Sequence, residues 1–171
     1  MDPMDQMASG GPVPKGFKAE DADNMEEMEQ QFAVKVVQHM ATYWSILEKV
    51  KGSSLRLTKM DQDIYDHLMQ TFPDFDPAAT IDEDQMKSKE GKAKWRPFMM
   101  AYEGKVEDYN FGTMVRNSPK VEYEEDNTIF VPRMQFYAIE IARNISDVRR
   151  NRHGLNDWIY EKAQGEKNSS K

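Results

Sequence analysis

The chain has 171 residues, 39% hydrophobic and 31% charged, with a formal net charge of −7. That length suits one domain burying roughly two thirds of its unfolded surface, and the acidic balance argues against direct sequence-specific nucleic-acid binding, which needs a cationic footprint. The absence of cysteine excludes disulfides, thiolate metal sites and a cysteine nucleophile, and no apolar run approaches the ~20 residues of a membrane helix, so a soluble, cytoplasmic protein without membrane partners is expected.

Residues 1–23 combine Gly, Pro, Asp and scattered Met without a period and read as a disordered acidic tail. A single globular domain is expected over residues 24–152, followed by a partly disordered C-terminal extension over residues 153–171. From Met25 the positions Met28, Phe32, Val36, Met40, Tyr43, Leu47 and Val50 step by three or four, the stripe of a long amphipathic helix ending near Gly52. Thr58 and Asp61 approximate a capping box before a second helix carrying Met60, Ile64, Leu68 and Phe72. Thr80 and Glu83 repeat that signal and predict only a short helix. Trp95, Met99 and Tyr102 then share a stripe, with Pro97 demanding a kink or a restart and Gly104 a stop.

After Gly104 the period changes. "VEDYNFGTMVR" and "VEYEEDNTIFV" are rich in β-branched and aromatic residues, and "NSPK" between them is a turn signal, so a small β-hairpin is expected within residues 106–131. The helical period returns in "VPRMQFYAIEIARNISDV", where Val131, Met134, Ala138, Ile141, Ile145 and Val148 form one stripe and Pro132 sits at the first turn. Arg143, Arg149, Arg150 and Arg152 close this stretch as a local basic patch. Leu155, Trp158 and Ile159 offer a docking turn before a solvated tail. The fold class that follows is mainly α (α+β): a compact helical domain with a small β-hairpin and disordered termini.

Signals for chemistry are sparse. His39, His67 and His153 share no ligand spacing, and His39 reads as an ordinary packed or half-exposed histidine. "DFDPAATIDEDQ" resembles a calcium loop only in its acids, since Ala79 and Gln85 stand where glycine and a bidentate glutamate are needed. The sequence contains no phosphate-cradling glycine motif and no nucleophile elbow. Acids such as Asp61, Asp63, Asp82 and Glu83 fall where helix caps and solvated turns are expected. Neither catalytic residues nor a cofactor nor a metal are therefore expected. What stands out is polar residues among large apolar ones: Arg96 beside Trp95, Arg116 ending a strand, and Arg133, Glu140 and Arg143 on a helix. They read either as an interface, where Trp, Tyr and Arg dominate energetics, or as internal braces around an aromatic core. The residues alone favour the braces.

The segments "RLTKMDQDIYDHL", "KWRPF", "VEDYNFGTMVR" and "DNTIFVPRMQFYAIEIARN" closely resemble the small eukaryotic polysaccharide biosynthesis domain-containing proteins, over residues 32–144. The family name implies carbohydrate chemistry. What is known of its small members implies instead a dedicated chaperone that meets nascent translation elongation factor 1A at the ribosome, engages its GTP-binding domain and works with the nascent polypeptide-associated complex. The resemblance thus implies a monomeric, non-catalytic protein; the alternatives are a carbohydrate-modifying enzyme and a passive scaffold. Its matching segments supply the candidate partner-binding residues: Trp95, Arg96, Tyr109, Asn110, Arg116, Arg133 and Arg143.

Overall fold

Long helix-forming runs flank one short interval of strand-forming residues, and the backbone follows that division. The computed structural model describes residues 22–169, with side chains from residue 31 onward. Residues 1–21 of the expected tail lie outside the described residues, and 22–23 already belong to the first helix. Among the described residues, six α-helices and a two-stranded antiparallel sheet make a mainly α domain of the α+β class.

Helix α1 (Ala22–Lys49) buries Val36, Tyr43 and Leu47 and half-buries Phe32 and Met40, as its stripe requires. Val50 lies beyond the helix and is exposed. The chain then turns through a short 3-10 helix (Gly52–Ser54). Gly52 has a packing reason to be glycine: a Cβ there would collide with Asn144 Oδ1 and lie 3.2 Å from Asn156 Cβ.

Helix α2 (Asp61–Thr71) has Met60 as its N-cap with no side-chain cap, so the Thr58–Asp61 pair ties the turn ahead of the helix instead of forming the expected capping box. The Asp61 carboxylate accepts from the backbone N–H of Leu57 (2.8 Å) and Thr58 (2.7 Å) and from the Thr58 hydroxyl (2.7 Å). The one-turn α3 (Glu83–Met86) is capped by Asp82 rather than Thr80, through a bond from the Gln85 N–H. Helix α4 (Lys89–Met100) is capped by Ser88 and runs through Pro97 as one element instead of restarting there. Trp95, Phe98 and Met99 are its buried residues.

Strands β1 (Gly112–Arg116) and β2 (Thr128–Pro132) pair from Gly112 opposite Pro132 to Arg116 opposite Thr128. The sheet is the expected hairpin, but "NSPK" is not its tight turn. Residues 117–127 form a long connection, closed at its base where the Asn117 N–H donates to the Asn127 carbonyl at 2.7 Å. Helix α5 (Arg133–Asn144) starts directly after Pro132 with no side-chain cap. The first N–H groups of a helix lack internal partners; here those of Arg133 and Met134 donate to the carbonyls of Phe111 (2.6 Å) and Tyr109 (2.7 Å). Helix α6 (Asp157–Ser169) replaces the expected solvated tail, docking through buried Ile159 and packing against α1.

Helix α5 is the centre of the domain: it packs against both strands, α2 and α4, and ten of its twelve residues are buried. An amphipathic stripe covers one face, as expected for Met134, Ala138 and Ile141; Val148 lies beyond the helix, 81% exposed. The opposite face is covered too, which puts Gln135, Glu140, Arg143 and Asn144 inside. Because Gly52 closes on that polar face, Gly52→Ala is expected to cost about 1–3 kcal/mol through overpacking, read as a lower midpoint in urea with an unchanged slope.

Candidate functional site

The polar face of α5 carries the densest electrostatic constellation among the described residues. Glu140 is fully buried, and its carboxylate accepts from four donors. Oε1 takes bonds from the Tyr43 hydroxyl (2.8 Å), Arg116 Nη2 (3.2 Å) and Asn156 Nδ2 (3.1 Å), and Oε2 takes one from Arg143 Nη1 (2.7 Å). The Arg116 Nη2 and Arg143 Nη1 bonds are at the same time ion pairs with almost no solvent access.

The members of the hub come from four elements. Tyr43 is on α1, Arg116 ends β1, Arg143 and Asn144 sit one turn along α5 from Glu140, and Asn156 immediately precedes α6. Asn156 Oδ1 accepts from Arg116 Nη2 at 2.5 Å, its Nδ2 donates to Asn144 Oδ1 at 2.8 Å, and Asn144 Nδ2 donates to the Tyr43 hydroxyl at 3.0 Å. Arg116 also holds the long connection: its Nη1 donates to the carbonyls of Pro119 (3.1 Å) and Val121 (3.0 Å). Its guanidinium carbon lies 5.5 Å from the Trp44 ring centre and 5.8 Å from that of Tyr123, a cation–π setting for a fixed planar cation. Trp158 Nε1 donates to the same Pro119 carbonyl at 2.7 Å.

Burial by itself pushes the Glu140 carboxyl up, but Arg116 and then Arg143 outweigh it and hold it below the usual carboxylate range. Burial opposes the Arg143 charge and Glu140 restores it, with a net lowering. Arg116 Nε and Arg143 Nε and Nη2 donate to no protein group. The hub holds two cations against one anion, and of its members Asn144 also lines the smaller of the two grooves described below.

The seven candidate partner residues do not form one exposed surface. Arg116 and Arg143 are fully buried braces of Glu140, and Trp95 and Tyr109 are core residues. Asn110 is half-buried and Arg96 exposed. Arg133 is half-buried; it does not join Glu140 and Arg143 but faces Asp108 at 3.5 Å and lies over the Phe111 ring at 5.4 Å. The i, i+3 pair of Glu140 and Arg143 was visible in the sequence, and Tyr43 was placed on the inward stripe of the first helix without its partner; Asn144 and Asn156 carried no signal beyond being polar. His39 is half-buried and bonded to Thr113 Oγ1 at 2.5 Å; burial, and then Arg133, lower its pKa to about 4.

Two surface grooves complete the candidates. One, of about 280 Å³, is lined by Arg56, Lys59, Asp61, Asp63 and Asn144 among others. The other, of about 490 Å³, lies between the turn after α2 and the start of α4. Among the described residues no three His, Asp or Glu side chains are grouped as a metal site, and no helix is long and apolar enough to cross a membrane.

The fold and hub define a small helical domain bolted by a buried Arg–Glu–Arg constellation. The chain belongs to the PBDC1 protein family, whose profile matches residues 28–161 and so extends beyond the recognised motifs into α6. It is 58% identical over 144 residues to the PBDC1 homolog of Schizosaccharomyces pombe, covering 82% of this chain and 93% of that one. It is 39% identical over 146 residues to human protein PBDC1, covering 85% of this chain and 59% of the human one. A solution NMR structure of a Saccharomyces cerevisiae protein superposes with a TM-score of 0.69 at 47% identity, covering 86% of this chain and 99% of that one.

Glu140→Gln leaves both guanidiniums without a counter-charge, and the expected loss at neutral pH is about 3–5 kcal/mol, measured by urea unfolding. Because the Glu140 pKa is lowered in the folded state, its contribution is present above its ordinary value of 4.5 and disappears as pH falls through the lowered one. The gap between wild type and variant should therefore narrow at acid pH. His39 acts in a second window: its folded pKa of about 4 lies below 6.5, so stability declines as pH falls from 6.5 towards 4. His39→Gln should flatten that decline, read as melting temperature against pH.

Proposed function

We propose that this protein is a non-catalytic, cytoplasmic, monomeric chaperone that assists co-translational folding of the GTP-binding domain of translation elongation factor 1A at the ribosome, alongside the nascent polypeptide-associated complex. Membership of the PBDC1 family carries the reading. The physical arrangement is compatible with it: the fully buried carboxylate, Glu140, is engaged by structural donors, so what a partner meets is surface shape and charge. Of the candidate contact residues, Arg96 and Arg133 are the two cations with solvent access.

The family name keeps carbohydrate modification as the rival. Its best acids would be Asp61 and Asp63, which line the smaller groove with Arg56 and Lys59. Asp61, however, already accepts three bonds from Leu57 and Thr58, which suits a fixed structural acceptor better than a proton shuttle.

Immunoprecipitation of the tagged protein after brief translation arrest should recover newly made elongation factor 1A with ribosomes. Arg96→Ala and Arg133→Ala are expected to reduce that recovery with the melting temperature nearly unchanged, whereas Arg116→Ala should lower the melting temperature first. Turnover of a sugar nucleotide by the purified protein, lost in Asp63→Asn, would establish the enzyme reading instead.

A further inference from the structure

The 490 Å³ groove is within the size range of formed ligand and peptide sites. Its floor is apolar: Phe72, Phe75 and Ile81 are half-buried rather than sealed, over the buried Trp95, whose ring lies 4.6 Å from that of Phe72. Its rim is acidic. Asp74, Asp76, Asp82 and Glu90 line it and are exposed, against Lys94 as the one lining cation. Arg152 stands 4.0 Å from Asp76 and donates to the Phe75 carbonyl at 3.4 Å, and the rim stays negative with that charge counted.

We propose that this groove docks an extended segment of a partner protein, in which a large apolar side chain enters the Phe72–Phe75–Ile81 floor and flanking lysines or arginines meet Asp74 and Glu90. Charge selects this occupant over the others. A second copy of a chain with net charge −7 would be repelled from an acidic rim, and residues 1–21, with acids Asp2, Asp5, Glu20 and Asp21 against Lys15 and Lys18, carry the wrong sign as well. The apolar floor supplies area that favours a side chain over a free cation, and the acids supply steering and orientation. The assignment goes beyond the elongation-factor reading and does not depend on which protein supplies the segment.

The test uses the full chain and a fluorescein-labelled nonapeptide with leucine and phenylalanine at its centre and lysines on both sides, followed by fluorescence anisotropy. Saturable binding is expected, weakening as salt is raised, because exposed charge pairs are screened. The double variant Asp74→Lys, Glu90→Lys should weaken it by about tenfold or more, equivalent to about 1.4 kcal/mol. Ala79→Trp should weaken it comparably by filling the groove from an exposed wall position, with melting temperatures confirming that both variants fold. Chemical-shift changes in a nitrogen–proton spectrum should centre on residues 72–95. Absence of saturable binding, equal affinity for a peptide with glutamates in place of lysines, shifts centred elsewhere, or a dimer in solution that Ala79→Trp dissociates would each overturn the proposal.

Discussion

Two guanidiniums and one carboxylate share the interior of this small domain, and the rest of the structure is arranged around meeting that demand. Taking an ion out of water costs several kcal/mol even after relaxation, so Glu140 must be supplied with donors and Arg116 with acceptors from wherever the chain can provide them. The solution recruits α1, β1, α5 and the start of α6 at once. Such bonds are directional, unlike apolar contacts. A Leu in place of Glu140 would tolerate α1 sliding by a fraction of a turn; a Tyr43 hydroxyl at 2.8 Å does not. The apolar core supplies cohesion, and the ionic hub fixes how the four elements are seated.

The fold was largely legible because periodicity reports on faces. The stripe through Val36, Tyr43 and Leu47 marked α1, and the strand-forming interval marked the sheet. Misreadings came where tertiary contacts overrule local chemistry. "NSPK" has the composition of a tight turn, yet Arg116 draws the carbonyls of Pro119 and Val121 inward and the connection becomes long. The segment after Asp157 looks like a solvated tail because its composition is polar, but Ile159 and the Trp158 indole, bonded to Pro119, are enough to dock it as a helix.

The site was less legible for a physical reason. An arginine in an aromatic-rich segment has the same composition whether it faces a partner or a buried glutamate, and only the position of the glutamate decides. Arg116 and Glu140 are 24 residues apart, and Asn156 is 40 residues from Arg116. No local pattern links them. Arg143, three residues from Glu140 on one helix, was the exception, and it resolved as the brace that its spacing suggested. Of the candidate cations, those left with solvent access are Arg96, within α4, and Arg133, the first residue of α5, so the exposed chemistry is sparser than the sequence implied.

The hub also sets an order of events during folding. Tyr43 and Glu140 are separated by 97 positions, and Asn156, which donates to Glu140, follows that residue by 16. Closing loops of that length costs entropy before any contact rewards it, and distant pairings slow folding. While the chain is being synthesised, α1 and β1 can be present long before their common anchor exists. The guanidinium of Arg116 must therefore remain hydrated until α5 and then Asn156 arrive, which makes the segment around Asn156 the latch that converts a loose helical assembly into the finished domain.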